Sequence, residues 1–532
     1  MAEGASRYRF FKEHQHARAS VRGDFAEVGR RQFLKGGAAV AVAGLTGPFA
    51  FLQTKAAAQS AAGLFGTRGL SPYGPIYPTK DHVTGLALLM LPKGFQYWST
   101  SWRGDLLDDG TICSSGHDGM AIVDESDGTF TLIRNHETFD LGDPIAPDFN
   151  YDSRGPGGTT TLRVHAGQLV DARVSISGTS SNCAGGRTPW GTWMTCEEGV
   201  PVGDKPHGYV FESTPSRVVN PVALEALGRF PHEAIAFDPR NGIIYLTEDN
   251  SSSSGPAGPR RRGSSGFYRF VPNVPLGGLG SLEHSGSLYM LQARNSSTGA
   301  AVDDLRDPVA LSQYDVEWVL IEDPNAAPVG SVSGPYSEGR SKGASRFQRL
   351  EGCWWDPATK RVLFVDTEGG PAGADAGRVD RAEGAIWAYD PAQARLYNLF
   401  VSQGALAPAA YGADNPDNIS VSPSGGIILC EDGDQDDGNG LSLLGLLSNG
   451  QSFEFARNIV NIEPTDAGAL AAAGHDPDAI GTGNFGDNEF AGATFSSNGQ
   501  WLFVNIQTPG ITFAITGPWG KGVFGGPGRG WW

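Results

Sequence analysis

Short apolar strands that run into a turn and out again recur six times along the chain, Gly (75) and Pro (34) are abundant, and helical signals are scarce. Turn-rich alternation of this kind predicts an all-β fold. Self-similar hairpins at intervals above ~40 residues point to a radial architecture rather than a sandwich. The expectation is a six-bladed β-propeller, a single domain with long loop excursions. A length of 532 residues alone would allow two or three domains, but propellers run long as one.

Taken from the N-terminus, the first element is an address. Gly29-Arg30-Arg31-Gln32-Phe33-Leu34-Lys35 carries twin arginines after a polar, basic stretch, and a weakly apolar run from Gly36 to about Phe51 follows. Ala56-Ala57-Ala58 fits a cleavage site. Residues 1–58 are expected to be a twin-arginine signal peptide and 59–532 the mature domain, periplasmic or secreted, with the twin-arginine export machinery as a partner. Gly47 and Pro48 break the apolar run, and no later segment is long enough to span a bilayer, so no stable membrane insertion is expected. A net charge of −18 repels nucleic acid and anionic lipid and excludes both as main partners.

Pro72, Pro75 and Pro78 forbid regular helix in the lead-in segment 59–92. The first hairpin, His117–Glu137, turns at Ser126-Asp127-Gly128 and sets Asp118 opposite Asn135, with Glu137 two residues on. If Asn135 and Glu137 point inward, strand alternation turns His136 away into packing. The second, Cys183–Glu198, turns near Trp190 and Gly191. In the third, Glu233–Glu248, a turn at Arg240 and Asn241 sets Glu233 opposite Glu248, and Asp249 follows. Ser251–Gly263 is a low-complexity loop with three arginines. Asp323–Lys342 and Gly369–Asp380 are further Gly-, Ser- or Pro-rich excursions. The fourth and fifth hairpins set Glu351 opposite Asp366 and Asp417 opposite Asp432. Asp466–Gly474, opened by Thr465, is the best helical candidate. The sixth hairpin, Glu489–Thr508, has no acid opposite Glu489.

Acids facing each other at the open end of a hairpin repel unless something positive sits between them. Repeated around a closed fold, they would build a cage of hard oxygen ligands. The five cysteines include no CxxC pair, so a zinc ribbon or thioredoxin motif is not expected. Cys183 and Cys196 have two readings, a disulfide in an exported chain and free thiols. A Cys183 thiolate among carboxylates requires a metal, and that donor mixture suits iron better than calcium; the competing reading is a small buried apolar residue. Arg349 and Glu351 share one face of a strand, either as an internal ion pair or as a fork for phosphate oxygens beside a metal ligand. No Ser-His-Asp set or Gly-x-Ser-x-Gly elbow stands out.

Several stretches resemble the PhoX alkaline phosphatases. They are Cys183–Glu198, Gly228-Arg229-Phe230-Pro231-His232-Glu233-Ala234, Arg349-Leu350-Glu351, Gly384–Pro391, Pro416-Asp417-Asn418 through Glu431-Asp432-Gly433, and Glu489-Phe490-Ala491-Gly492 through Gln507-Thr508-Pro509-Gly510. The resemblance runs from about Gly116 to Trp519. It implies a six-bladed propeller that holds ferric iron (Fe3+) and calcium (Ca2+) around a bridging oxide and hydrolyses phosphate monoesters. It implies Cys183 as the iron thiolate, and Glu197, Glu198, Glu233, Glu248, Glu351 and Glu489 as carboxylate ligands, joined by Asn135 and Asp432. Arg349, beside Glu351 at the catalytic point, would hold the phosphate of a small-molecule ester. A monomer is expected. The chain departs from the pattern in being shorter than the larger members, in having Leu350 where Pro is expected, and in a compressed Asp118–Asn135 hairpin. Two alternatives remain at this level. A lactonase-like calcium propeller would need a His base and no Cys183, and a non-catalytic binding propeller would use its ions only for structure.

Overall fold

Six strands stand around one axis: β1 (His117–Ser126), β2 (Asn182–Arg187), β3 (His232–Phe237), β4 (Leu350–Asp356), β5 (Pro416–Val421) and β6 (Phe490–Phe495). Each is the inner strand of an antiparallel hairpin with the strand that follows it, respectively Thr129–His136, Trp193–Glu197, Ile244–Glu248, Arg361–Asp366, Ile427–Glu431 and Trp501–Ile506. Inner strands touch in sequence order, and β6 returns to touch β1, so the series closes. The computed structural model describes residues 65–139, 141–199, 203–250, 263–370, 382–402, 412–433 and 440–525. The expected signal, residues 1–58, lies outside them, as do 251–262 of the arginine-bearing loop and 371–380 of the third excursion.

Closure at this radius demands small residues where the inner strands cross. A Cβ on Gly119 would come within 2.5 Å of the Ala184 Cα, one on Gly352 within 2.7 Å of the Asp417 carbonyl oxygen, and one on Gly492 within 2.5 Å of the Asp118 carbonyl oxygen. The space left on the axis is a cavity of about 20 Å³, lined by Gly119, Ala184, Ala234, Gly352 and Gly492 among others, with room for about one water.

Outward from the axis, the β1 and β6 sheets have four strands, the β2 sheet three and the β5 sheet six, while β3 and β4 head the two ends of one ten-stranded sheet joined through Gln313–Ile321. The proline-rich lead-in contributes strands, not helix. Ile76–Lys80 and Ala87–Pro92 extend the β5 sheet, and Gln96–Trp102 is the outermost strand of the β6 sheet, paired with Ile511–Thr516. The apolar core lies between neighbouring sheets. Met194 and Val210 meet Ile235 and Tyr268 between the second and third sheets, and Val365 and Ile386 meet Ile419 and Leu429 between the fourth and fifth hairpins. The described residues fall in one compact unit, Thr46–Trp532.

The all-β expectation holds, and the expected helical turn at Asp466–Gly474 is the helix Ala467–Ala472. The excursion Asp323–Lys342 is more ordered than its composition suggests. It contains a helix, Gly334–Ser341, whose first turn is capped by the Ser333 side chain accepting from the Tyr336 N–H, with Pro335 pre-set for the first turn. Hairpin registers differ from those read off the sequence. His232, not Glu233, pairs with Glu248; Leu350, not Glu351, pairs with Asp366; Pro416 pairs with Glu431; and His117 pairs with His136. In all six inner hairpins the register slips just after this axial end. One extra residue in each inner strand forms a bulge, and bulges re-aim side chains.

Candidate metal centre

The bulges decide what the axial mouth presents. Asp118, Cys183, Glu233, Glu351 and Asp417 each occupy the first skipped position of an inner strand, immediately before a small residue or Asn418. Freed from a cross-strand partner, their side chains gather above the ring of small residues. Asp118, Glu137 and Glu489 bring carboxylate oxygens within 4.8 Å of one another, and all three are buried. Glu233, Glu351 and Asp417 form a second such triad, and Asp417, Asp432 and Glu489 a third that reaches the exposed rim. Shared members make the three triads one continuous acidic band.

Burial and mutual repulsion govern these groups. The Glu233 carboxyl is held well above the usual carboxylate range by burial first and then by Glu351, Asp417 and Glu198. Glu489 is raised by burial and then by Asp432, Asp118 and Asp417. Glu137 is raised by burial, Asp118 and Glu198, and Glu351 by burial, Asp249 and Asp417. Cys183 sits under the band and donates its thiol hydrogen to the His232 carbonyl at 3.2 Å. Burial and then Glu233 and Glu198 push that thiol far up. A cation placed within the band would reverse each of these shifts, and the donor set, carboxylate oxygens with one thiol beside them, fits hard cations together with iron.

Arg349 is the guanidinium at this mouth. Its Nε and Nη2 donate to Asp249 at 2.9 and 2.5 Å, Nη2 also donates to Glu351 at 2.9 Å, and Nη1 reaches Glu368 at only 3.4 Å. Burial opposes its charge, but Asp249, Glu351 and Glu368 hold its pKa well above the usual value. The ion-pair reading of Arg349 and Glu351 is the one observed, and the pair lies beside the Glu233–Glu351–Asp417 triad.

Not every residue expected at the site is brought there. Glu197 turns its carboxylate the other way, accepting from His207 Nδ1 (2.7 Å), Ser180 N, Gly208 N and Tyr209 N. Alternation explains this, because adjacent Glu197 and Glu198 point to opposite faces, and it is Glu198 whose charge bears on Glu137 and Asp249. Glu248 accepts from Ser333 Oγ, Tyr268 Oη and Gly266 N, and is raised to about 7 by burial against those donors; its neighbour Asp249 faces Arg349. Asn135 spends its amide on the Cys183 and Ala184 carbonyls and receives Trp193 Nε1 and Thr195 Oγ1, so it braces β2. Asp118, Glu137, Asp249 and Asp417 join instead. An acid followed at once by a small residue at the start of an inner strand is the signal that would have found Asp118; Asp417 precedes Asn418, and Glu137 and Asp249 follow the paired strands, outside that pattern.

All five cysteines are free and buried, so the disulfide reading of Cys183 and Cys196 does not apply. The buried histidines closest in sequence to the band are turned away from it. His117 Nε2 lies 3.0 Å from the Ser114 carbonyl, His136 Nδ1 3.0 Å from the Ser115 carbonyl, and His232 Nε2 2.9 Å from the Gly228 carbonyl, and burial lowers the pKa of all three. None is placed as the base a lactonase-like site would need.

A family profile described as alkaline phosphatase PhoX matches residues 148–510, and a profile for the twin-arginine translocation signal matches residues 27–47. Among solved structures, Pseudomonas fluorescens PhoX in complex with vanadate, a transition state analogue, superposes with a TM-score of 0.59 at 17% identity, over 86% of this chain and 99% of that one. The PQQ domain of Coprinopsis cinerea pyranose dehydrogenase gives a TM-score of 0.26 at 12% identity, over 80% and 97% of the respective chains. No curated protein sequence matches. The twin-arginine signal addresses the chain for export to the periplasm or beyond. Among the described residues no helix is long and apolar enough to cross a membrane.

Proposed function

Because the chain belongs to the alkaline phosphatase PhoX family, we propose that it hydrolyses phosphate monoesters at a multinuclear iron and calcium centre held in the acidic band of a six-bladed propeller. The observation that carries this reading is the convergence of three carboxylate triads at one end of the axis. Asp118, Glu137 and Glu489 would hold one cation, Glu233, Glu351 and Asp417 a second, and Asp432 would complete a third position with Asp417 and Glu489. Cys183, beneath Glu233 and Glu198, is the soft donor that favours iron. Bound there, cations supply Lewis acidity toward phosphate oxygens and a nucleophile at neutral pH.

The chain's own residues do the positioning. Asp249 grips Arg349 through two nitrogens and fixes the plane of the guanidinium. The long Nη1 contact to Glu368 is the one a phosphate oxygen replaces. With charge compensated by the cations, Arg349 then binds the ester and steadies the charge that builds on its oxygens in the transition state. No side-chain nucleophile is required.

The test combines element analysis of the purified protein with hydrolysis of a generic phosphate monoester in the presence of Ca2+. Bound iron and calcium with phosphate release are expected, and Arg349→Ala is expected to lower kcat/KM by about 10²- to 10³-fold. A wild-type protein that carries its metals and releases no phosphate would overturn the proposal.

A further inference from the structure

We propose that Gln507 is the positioning residue of the Asp118–Glu137–Glu489 triad, holding two like-charged carboxylates so that their remaining oxygens converge with that of Glu489. This rests on the cation-binding reading above. Gln507 follows directly on Trp501–Ile506, the strand paired with β6. Its Nε2 donates to Glu137 Oε2 at 2.6 Å and to Asp118 Oδ2 at 3.2 Å, which uses both amide hydrogens. Its own backbone is fixed at the same place: Gln507 N donates to the Glu489 carbonyl at 3.2 Å, and the Gln507 carbonyl accepts from His117 N at 3.3 Å. One half-buried residue is thus tied to all three carriers of the triad, on β1, just after its partner strand and just ahead of β6.

The chemistry of the donor matters as much as its place. Asp118 and Glu137 are held close together by one amide, and two carboxylates so placed repel when both are charged. An amide takes up one oxygen of each without adding positive charge. A lysine or arginine at this position would hold the same two carboxylates but cancel the field that attracts a cation. Outer hydrogen-bond partners of metal-binding carboxylates orient them, and losing such a partner typically costs ten- to a hundredfold in affinity.

The experiment titrates Ca2+ into the metal-stripped, folded mature chain by isothermal titration calorimetry, comparing wild type with Gln507→Met, which keeps the length and loses the donor, and Gln507→Asn, which keeps the amide and loses the reach. Wild type is expected to bind calcium at more than one class of site. In each variant one class is expected to weaken by about 10- to 100-fold while the others and the metal-free circular dichroism spectrum stay unchanged. Calcium affinities within twofold of wild type at every class would overturn the inference. A wild-type chain that takes up no calcium overturns the cation reading itself and this inference with it. If one variant fails to fold, the other decides by the same criterion, and failure of both overturns a positioning role, which leaves the fold intact.

Discussion

Cys183 shows how one side chain can report on the whole centre. Burial, Glu233 and Glu198 all oppose its ionisation, so a thiolate there exists only with a cation beside it. Replacing it with serine keeps the size and removes the soft donor. Cys183→Ser is expected to retain calcium but lose more than half of the iron bound by wild type, measured by plasma emission on protein purified in parallel. Equal iron in both would remove Cys183 from the site. At this scale the sequence was legible where an acid opened a hairpin alone, as at Glu233, Glu351 and Glu489. It misled where two acids stood together, because Glu197-Glu198 and Glu248-Asp249 each send one carboxylate toward the mouth and the other to backbone and hydroxyl donors. Alternation alone says that only one of each pair can face inward, but not which one.

Among elements, the inner strand with its bulge is the repeating unit, and its small residue is as constrained as its acid. A methyl group on Gly352 would meet the backbone of β5 at Asp417 and Ile419 within 2.7 Å. Gly352→Ala is expected to cost about 1–3 kcal/mol, read as a lowered denaturation midpoint. Gly468, inside the helix Ala467–Ala472, has no atom within 4 Å of where its Cβ would lie, and Gly468→Ala is expected to gain about 0.5–1 kcal/mol in the same measurement. An unbulged hairpin puts acid opposite acid and predicts the right residues with the wrong partners. The extra residue is set by how closely six strands approach an axis, a tertiary requirement that no single hairpin sequence states. The helix Gly334–Ser341 was readable from Ser333 and Pro335 but masked by the surrounding Gly and Ser.

For the molecule as a whole, the acidic band is a source of instability that bound cations would offset. Glu248 is raised to about 7 and Asp366 to about 8, both chiefly by burial, and Glu137, Glu233, Glu351 and Glu489 are held well above the usual range by burial and then by neighbouring carboxylates. A carboxyl with a raised folded-state pKa binds its proton more tightly folded than unfolded. Stability is therefore lost as pH rises from about 4, the unfolded value, through the folded value. Chelator-treated protein is expected to lose at least ~5 °C of Tm between about pH 5 and pH 8, and added Ca2+ to restore much of it. A Tm that rises over that interval without metal would contradict the arrangement. The fold class was legible from turn-rich alternation. The route by which the sheets are completed was not, because Ile76–Lys80, Ala87–Pro92 and Gln96–Trp102 find their partners far along the chain and carry no local sign of it.

That long-range pairing sets an order of events in biosynthesis. Gln96–Trp102 has no partner until Ile511–Thr516 has left the ribosome, so the nascent chain stays open until synthesis is nearly finished. The acids of β1 and β6 meet only at that final step. A translocon that accepts finished, folded cargo suits a protein whose ring is locked only after its last strands are made.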